Sequence, residues 1–263
     1  MSAKAPAHDP IAARSPAMVR AFTWYCRRLL RRNFHGLRLD REGPPMAAAG
    51  APVVVVANHP SWWDPIVFFV VARALFPDRI GFGPIEAAEL ERYAIFKRLG
   101  AFGVTPGTGR GAMVWLKTGR RILAKPDALL IVTAQGRFAD ARERPVRLMP
   151  GTSRLLRDGG GATVLPLAME FVFWNERAPE ILLRFGQPVP VAGDDLYGRL
   201  ESALALAQDR LAERAQARDP SAFDALVSGR AGVGGVYDLG RRLRAAWSGA
   251  SFDPSHEPGG RGR

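Results

Sequence analysis

Cysteine is almost missing from this chain of 263 residues: Cys26 stands alone. That excludes an intramolecular disulfide framework and a cysteine-based zinc site, and it fits a cytosolic setting. Histidine is scarce too. His8 and His256 fall in ends that read as disordered and His35 falls in a basic helix, so no His-based metal site is supplied. No apolar run reaches membrane-spanning length: the longest, 66–75, is interrupted by Arg73. The first residues lack the apolar core of a signal peptide. No serine sits in a Gly-x-Ser-x-Gly context, which excludes a serine-hydrolase elbow. Lysine is rare, at positions 4, 97, 117 and 125, yet the net charge is +12 and the pI near 11.0. Arginine therefore carries the charge, and an anionic partner follows: nucleic acid, a membrane surface or a phosphorylated substrate. No nucleic-acid recognition motif accompanies it.

What is present is a hydrophobic content of 47%, enough for one sizeable α/β core and incompatible with wholesale disorder. Residues 1–16 are rich in Ala and Pro and read as disordered. Residues 17–36 read as a basic amphipathic helix, with Met18, Phe22, Tyr25, Leu29 and Leu30 at helical spacing among Arg20, Arg27, Arg28, Arg31 and Arg32. Such a helix either lies in a lipid interface or packs on the domain with a solvated basic face. The α/β body spans 37–190. Strands are expected at 52–57, 79–83, 101–105, 128–133, 162–168 and 180–185, and helices at 65–76, 86–99, from the 107–111 glycine-rich loop to 124, and at 150–157. This alternation predicts a mainly parallel or mixed sheet flanked by helices. A helical C-terminal extension is expected over 191–250, with helices at 194–218, 222–227 and 236–247, followed by a disordered tail at 251–263.

The chemistry concentrates after the first buried strand. Asn58-His59-Pro60-Ser61-Trp62-Trp63-Asp64-Pro65 joins the β-branched run 52–57 to the apolar helix beginning at Pro65. His59 and Asp64 thus fall between a strand's C-terminal end and a helix start, where open α/β sheets bind ligands. A neutral imidazole takes a proton from a hydroxyl, and a carboxylate fixes its tautomer and stabilises the imidazolium. The plainer alternative is an N-capping Asp64 and a structural His59.

This His-x4-Asp box, with Asn58 before it and Ser61 inside it, resembles the signature of the glycerolipid acyltransferases, which include the glycerol-3-phosphate and lysophosphatidate acyltransferases. The resemblance covers roughly 38–190. Strand 128–133 runs into Ala134-Gln135-Gly136-Arg137-Phe138, similar to the family's Pro-Glu-Gly segment. Ala134 stands for the Pro, Gln135 for the Glu, and Arg137 comes one place early. Where the family holds an acceptor phosphate with an arginine, Gly103-Val104 is followed by Thr105 and Pro106; Arg110 is the nearest substitute. The loop Gly107-Thr108-Gly109-Arg110-Gly111 otherwise reads as a turn and helix start. Val164-Leu165-Pro166-Leu167-Ala168 resembles the family's fourth segment, which lines the acyl-donor region. Its proline favours an edge strand or bulge.

The resemblance implies transfer of an acyl chain from acyl-CoA or an acyl carrier protein to the hydroxyl of a lysophospholipid, glycerolipid or similar acceptor. His59 would be the base and Asp64 its orienting partner. Ser61, Arg110, Gln135, Gly136 and Arg137 would bind substrate, and Trp62 and Trp63 would wall the acyl chain or rest on lipid. No metal and no cofactor beyond the thioester co-substrate is expected. The expected partners are donor, lipid acceptor and an anionic membrane, with the protein peripheral on its cytoplasmic face. The competing reading is a basic nucleic-acid-binding α/β protein without catalysis.

Overall fold

A computed structural model describes residues 8–43, 47–48, 50–159 and 161–229. Among these residues eight strands, β1 (Gly36–Asp40), β2 (Val53–Ala57), β3 (Ile80–Glu86), β4 (Ala101–Val104), β5 (Ala128–Thr133), β6 (Thr163–Val172), β7 (Glu180–Phe185) and β8 (Phe223–Ser228), form one sheet in the order β4-β3-β5-β2-β6-β7-β1-β8. The five strands from β4 to β6 are mutually parallel; β7 and β8 each pair antiparallel to a neighbour, and β1 pairs parallel to β7. The fold is therefore mixed α/β, as the sequence predicts.

The continuous apolar character of β2 follows from its place, because both of its faces are covered. Val53, Val55 and Ala57 pack with Leu165 and Leu167 against α2 (Pro16–Asn33) and α3 (Asp64–Leu75). Val54 and Val56 turn the other way, into a layer that includes Trp115 and Ile122 of α6 (Gly109–Leu123), Leu155 of α7 (Gly151–Gly159) and Leu200 and Leu204 of α8 (Leu196–Ala217).

Several expectations change. The helix expected over 222–227 does not form: Pro220–Ala222 is a single 3-10 turn and Phe223–Ser228 is a strand that closes the sheet against β1, which pattern alone does not reveal. The segment after residue 190 thus adds both a covering helix, α8, and an edge strand to the same sheet. Residues 86–99 are not one helix, because β3 continues to Glu86 and α4 (Ala87–Arg92) and α5 (Ile95–Arg98) follow as two short turns. Pro166 lies in an interior strand, and the ladder tolerates it for a local reason. Its carbonyl accepts from the Gly186 N–H at 3.0 Å, so the missing N–H faces the β7 side just before that pairing begins at Leu167.

Of the N-terminal stretch expected to be disordered, the described part is ordered. Asp9 caps α1 (Pro10–Ala13), Arg14 donates to the Gly81 carbonyl, and Ser15 N–H bonds the Arg98 carbonyl at 2.8 Å. Residues 1–7, the helix expected at 236–247 and the tail at 251–263 lie outside the described residues.

The apolar stripe of α2 is not open to lipid. Cys26 and Leu30 are fully buried, Phe22 and Leu29 pack on the same core, and Phe22 meets Phe69 of α3 edge-on at 4.9 Å. Burial lifts the Cys26 thiol to about 12, so it is inert as a nucleophile. Arg20, Arg27, Arg28, Arg31 and Arg32 remain exposed on the outer face with Trp24 and Tyr25. Among the described residues no helix is long and apolar enough to cross a membrane.

Candidate active site

Five parallel strands bring their C-terminal ends to one edge, and the candidate site is assembled there. Asn58, directly after β2, is fully buried and extends the sheet with its side chain. Its Nδ2 donates to the Met169 carbonyl at 2.9 Å and its Oδ1 accepts the Met169 N–H at 2.8 Å. That clamp fixes where the chain leaves the strand. The next residue is His59.

His59 Nδ1 lies 2.6 Å from Asp64 Oδ2. The same oxygen accepts the Ser61 N–H at 3.2 Å, and Ser61 Oγ accepts the Trp63 N–H at 3.2 Å, so the loop is folded around the carboxylate. Asp64 is not the N-cap that its position before a proline suggests. It is the first helical residue; Trp63 occupies the cap position without a side-chain bond, and the carboxylate turns back to the imidazole. Asp64 is 0% exposed, and among the described residues its buried Oδ1 has no hydrogen-bond partner. Burial pushes this carboxyl above its ordinary range, against the opposing pull of the hydrogen bonds from His59 and the Ser61 N–H. An Nδ1–H directed at Asp64 leaves Nε2 as the basic nitrogen. The imidazole keeps 19% of its side-chain surface exposed, enough for a hydroxyl to reach it.

The turn after β5 supports the same loop. Ala134 N–H bonds the Ala57 carbonyl at 3.2 Å, and Gln135, itself buried, accepts the His59 N–H through Oε1 at 3.1 Å. Gln135 Oε1 is therefore engaged with the loop backbone, and its Nε2 is the end left for a substrate. Gly136 has φ +67°, and a Cβ there would come 2.7 Å from Met149 Cγ, so the turn needs glycine. The Phe138 ring lies 4.3 Å from the His59 ring, tilted by 37°, and the Ala139 N–H bonds the His59 carbonyl at 2.9 Å. Phe138 stays 57% exposed and gives the site an apolar rim beside Trp62, while Trp63 packs edge-on against Phe34 at 4.8 Å.

His59, Ser61, Asp64, Gln135 and Gly136 thus come together. Arg137 does not face them: its guanidinium pairs with Glu143 and bonds the Phe138 carbonyl. Arg110 stands apart, exposed in the first turn of α6 after β4, three strand positions from β2 or roughly 15 Å across the sheet. Thr108 Oγ1 caps that helix by accepting the Gly111 N–H at 3.0 Å, so the glycine-rich loop is a helix start. Phe138, Ala139 and the Met169 clamp are contributions that sequence reasoning misses. Asn58 and Met169 are 111 positions apart, and no local pattern marks such a pair.

No family model matches this sequence, and no curated protein does. Among solved structures, the fold is similar to the crystal structure of the 1-acyl-sn-glycerophosphate (LPA) acyltransferase PlsC from Thermotoga maritima. The TM-score is 0.51 and the identity 13%, over 75% of this chain and 79% of that one. That likeness shows the fold: an eight-stranded α/β sheet with helices on both faces.

Proposed function

We propose that this protein is an acyltransferase that moves an acyl chain from a thioester, acyl-CoA or acyl carrier protein, to the hydroxyl of a lysophospholipid, glycerolipid or similar acceptor. The observation that carries the reading is the His59–Asp64 contact of 2.6 Å, made by a fully buried carboxylate to an imidazole that still reaches solvent. A purely structural His–Asp pair has no need of an accessible ring at a sheet's C-terminal edge. In the reaction, His59 Nε2 takes the acceptor's hydroxyl proton as its oxygen bonds the thioester carbonyl carbon. The C–S bond then breaks and the departing thiolate recovers the proton. No enzyme nucleophile is used. Holding hydroxyl and thioester together supplies much of the rate, and the apolar rim of Phe138 and Trp62 suits an acyl chain. The reaction takes place on the cytoplasmic face of a membrane, where the protein is peripheral.

Release of free thiol from acyl-CoA or acyl carrier protein, measured with a panel of acceptors and product lipids identified by mass spectrometry, tests this. His59→Ala is expected to lower transfer by ~10²–10⁴ with an unchanged unfolding temperature, because the side chain lies outside the core. Since Thr105 and Pro106 follow β4 where the resemblance expects an arginine, glycerol 3-phosphate should be a poor acceptor beside a larger hydroxyl lipid. Near wild-type turnover in His59→Ala removes the mechanism.

A further inference from the structure

Glu170 has no part in the chemistry above, and its surroundings do not account for a half-buried carboxylate. It lies on β6 three residues past Leu167, which is the register partner of Ala57. His59 is two residues past Ala57, so Glu170 stands about one residue beyond it on the adjacent strand, at a strand spacing of roughly 5 Å. Its side chain shares the α8 face with Ala168 and Val172. Asp140 and Arg142 act on its charge from the loop whose Ala139 N–H holds the His59 carbonyl. Arg142, however, is already held by Asp140 through hydrogen bonds of 2.9 and 2.7 Å. Among the described residues no hydrogen bond or ion pair engages the Glu170 carboxylate.

Glu170 lines an open surface cavity of about 290 Å³ together with Val172, Phe173, Trp174, Ala215, Gln216 and Arg218. Trp174 is fixed there by its Nε1–H on the Ala215 carbonyl at 3.0 Å. Among the described residues Arg218 makes one long side-chain bond, 3.4 Å, to Asn175 Oδ1. One unpaired anion, one loosely held guanidinium and two aromatic rings in a single cavity are complementary to a group that carries both charges. An ammonium gains from the carboxylate and from aromatic faces, and a phosphate gains from a guanidinium.

We propose that this cavity binds the zwitterionic head group of the lipid acceptor, its ammonium on Glu170 and its phosphate on Arg218. The assignment rests on the acyl-transfer reading for the word acceptor, but the binding itself does not need turnover. It makes the protein selective: an acceptor with phosphate and no ammonium keeps the Arg218 contact but forgoes the bond to Glu170.

The test is equilibrium binding of the full-length protein to lysophosphatidylethanolamine and to lysophosphatidylglycerol of the same chain length, both below micelle formation. Wild type should prefer the ammonium lipid by about tenfold or more, the worth of one charged hydrogen bond. Glu170→Gln should erase that preference while leaving the phosphatidylglycerol lipid within about twofold, and Arg218→Ala should weaken both. Phosphoethanolamine alone should compete with the ammonium lipid, and glycerol 3-phosphate should not, an arm that needs no variant to fold. Equal binding of the two lipids by wild type, or a preference that survives Glu170→Gln, overturns the assignment. His59→Ala should keep the preference. Preference without transfer would leave the cavity standing and remove the acyl-transfer reading, and transfer without preference would do the reverse.

Discussion

Asp64 combines three properties that ordinarily oppose one another: it is fully buried, it faces an imidazole, and one of its oxygens has no partner among the described residues. A carboxylate kept this way is costly to ionise, which is why its pKa is raised by burial despite two hydrogen bonds. The folded state holds this proton more tightly than the unfolded chain. The group's contribution to stability therefore falls as pH rises from the unfolded value of about 3.9 to the raised folded value, and is flat above it. Asp64→Asn should then unfold at the same or a higher temperature than wild type at neutral pH, and that advantage should shrink as the pH is lowered through the Asp64 transition. Acyl transfer should nevertheless fall by roughly 10²-fold or more, because a neutral amide neither stabilises the imidazolium nor enforces the Nδ1–H tautomer. Thermal melts from pH 4 to pH 8 beside the transfer assay separate the two effects. A variant that melts several degrees lower at neutral pH, with transfer intact, would reduce Asp64 to a structural residue.

At the scale of elements, β1 is held where it is by charges that its own sequence does not advertise. Glu180, at the start of β7, bonds His35 Nδ1 and lies 3.0 Å from Arg38 Nε, with Glu180 and His35 buried and Arg38 partly exposed. A Cβ at Gly36 would sit 2.6 Å from Glu180 Oε2, so a larger residue there would displace the carboxylate. Burial opposes ionisation of Glu180, yet the hydrogen bonds from His35 and Arg38 hold its pKa below the ordinary value, and the Glu180 bond raises that of His35. The His35 contribution is complete below its unfolded pKa of about 6.5 and is lost as pH rises through the raised folded value; that of Glu180 is complete above about 4.3. Glu180→Gln should cost about 3 kcal/mol in urea unfolding near pH 6 and flatten the decline in stability that wild type shows on the alkaline side. An unchanged midpoint and pH profile would remove this cluster from the account of the edge. The same cluster shows what a sequence can and cannot reveal. β2 and β5 are legible because burial on both faces demands unbroken apolar runs. Gly36–Asp40 and Phe223–Ser228 are short and polar in part, and become strands only because each pairs with the other or with β7. Likewise the His-x4-Asp spacing is local and can be read directly. The Gln135 bond to the His59 N–H spans 76 positions and depends on β5 lying beside β2, which no local pattern specifies.

For the molecule as a whole, a net charge of +12 has to face something. On α2, Arg20, Arg27, Arg28, Arg31 and Arg32 share the solvent face with Trp24, 66% exposed, and Arg28 lies 6.0 Å over the Trp24 ring. The helix ends at Phe34, which touches Trp63 in the His59 loop, so a surface docked along α2 adjoins the candidate site. We propose an anionic membrane as the partner of this face, docked rather than inserted, because the apolar side of α2 is already part of the core. Deleting the helix would open that core around Cys26 and Leu30, so substitution on the outer face is the clean experiment. Each arginine near an anionic surface contributes on the order of 1 kcal/mol. Changing Arg27, Arg28, Arg31 and Arg32 together to Gln should therefore weaken binding by about a thousandfold, while the melting temperature stays near wild type. In flotation with phosphatidylglycerol vesicles, wild type should rise with the lipid and the fourfold variant should remain in the dense layer, with high salt weakening wild type in the same direction. Trp24→Ala should give a smaller loss. Equal flotation of the two proteins would move the membrane contact to the rim around Trp62 and Phe138. Salt-dependent binding of duplex DNA that exceeds vesicle binding, and is lost in the same variant, would instead assign the arginine face to nucleic acid.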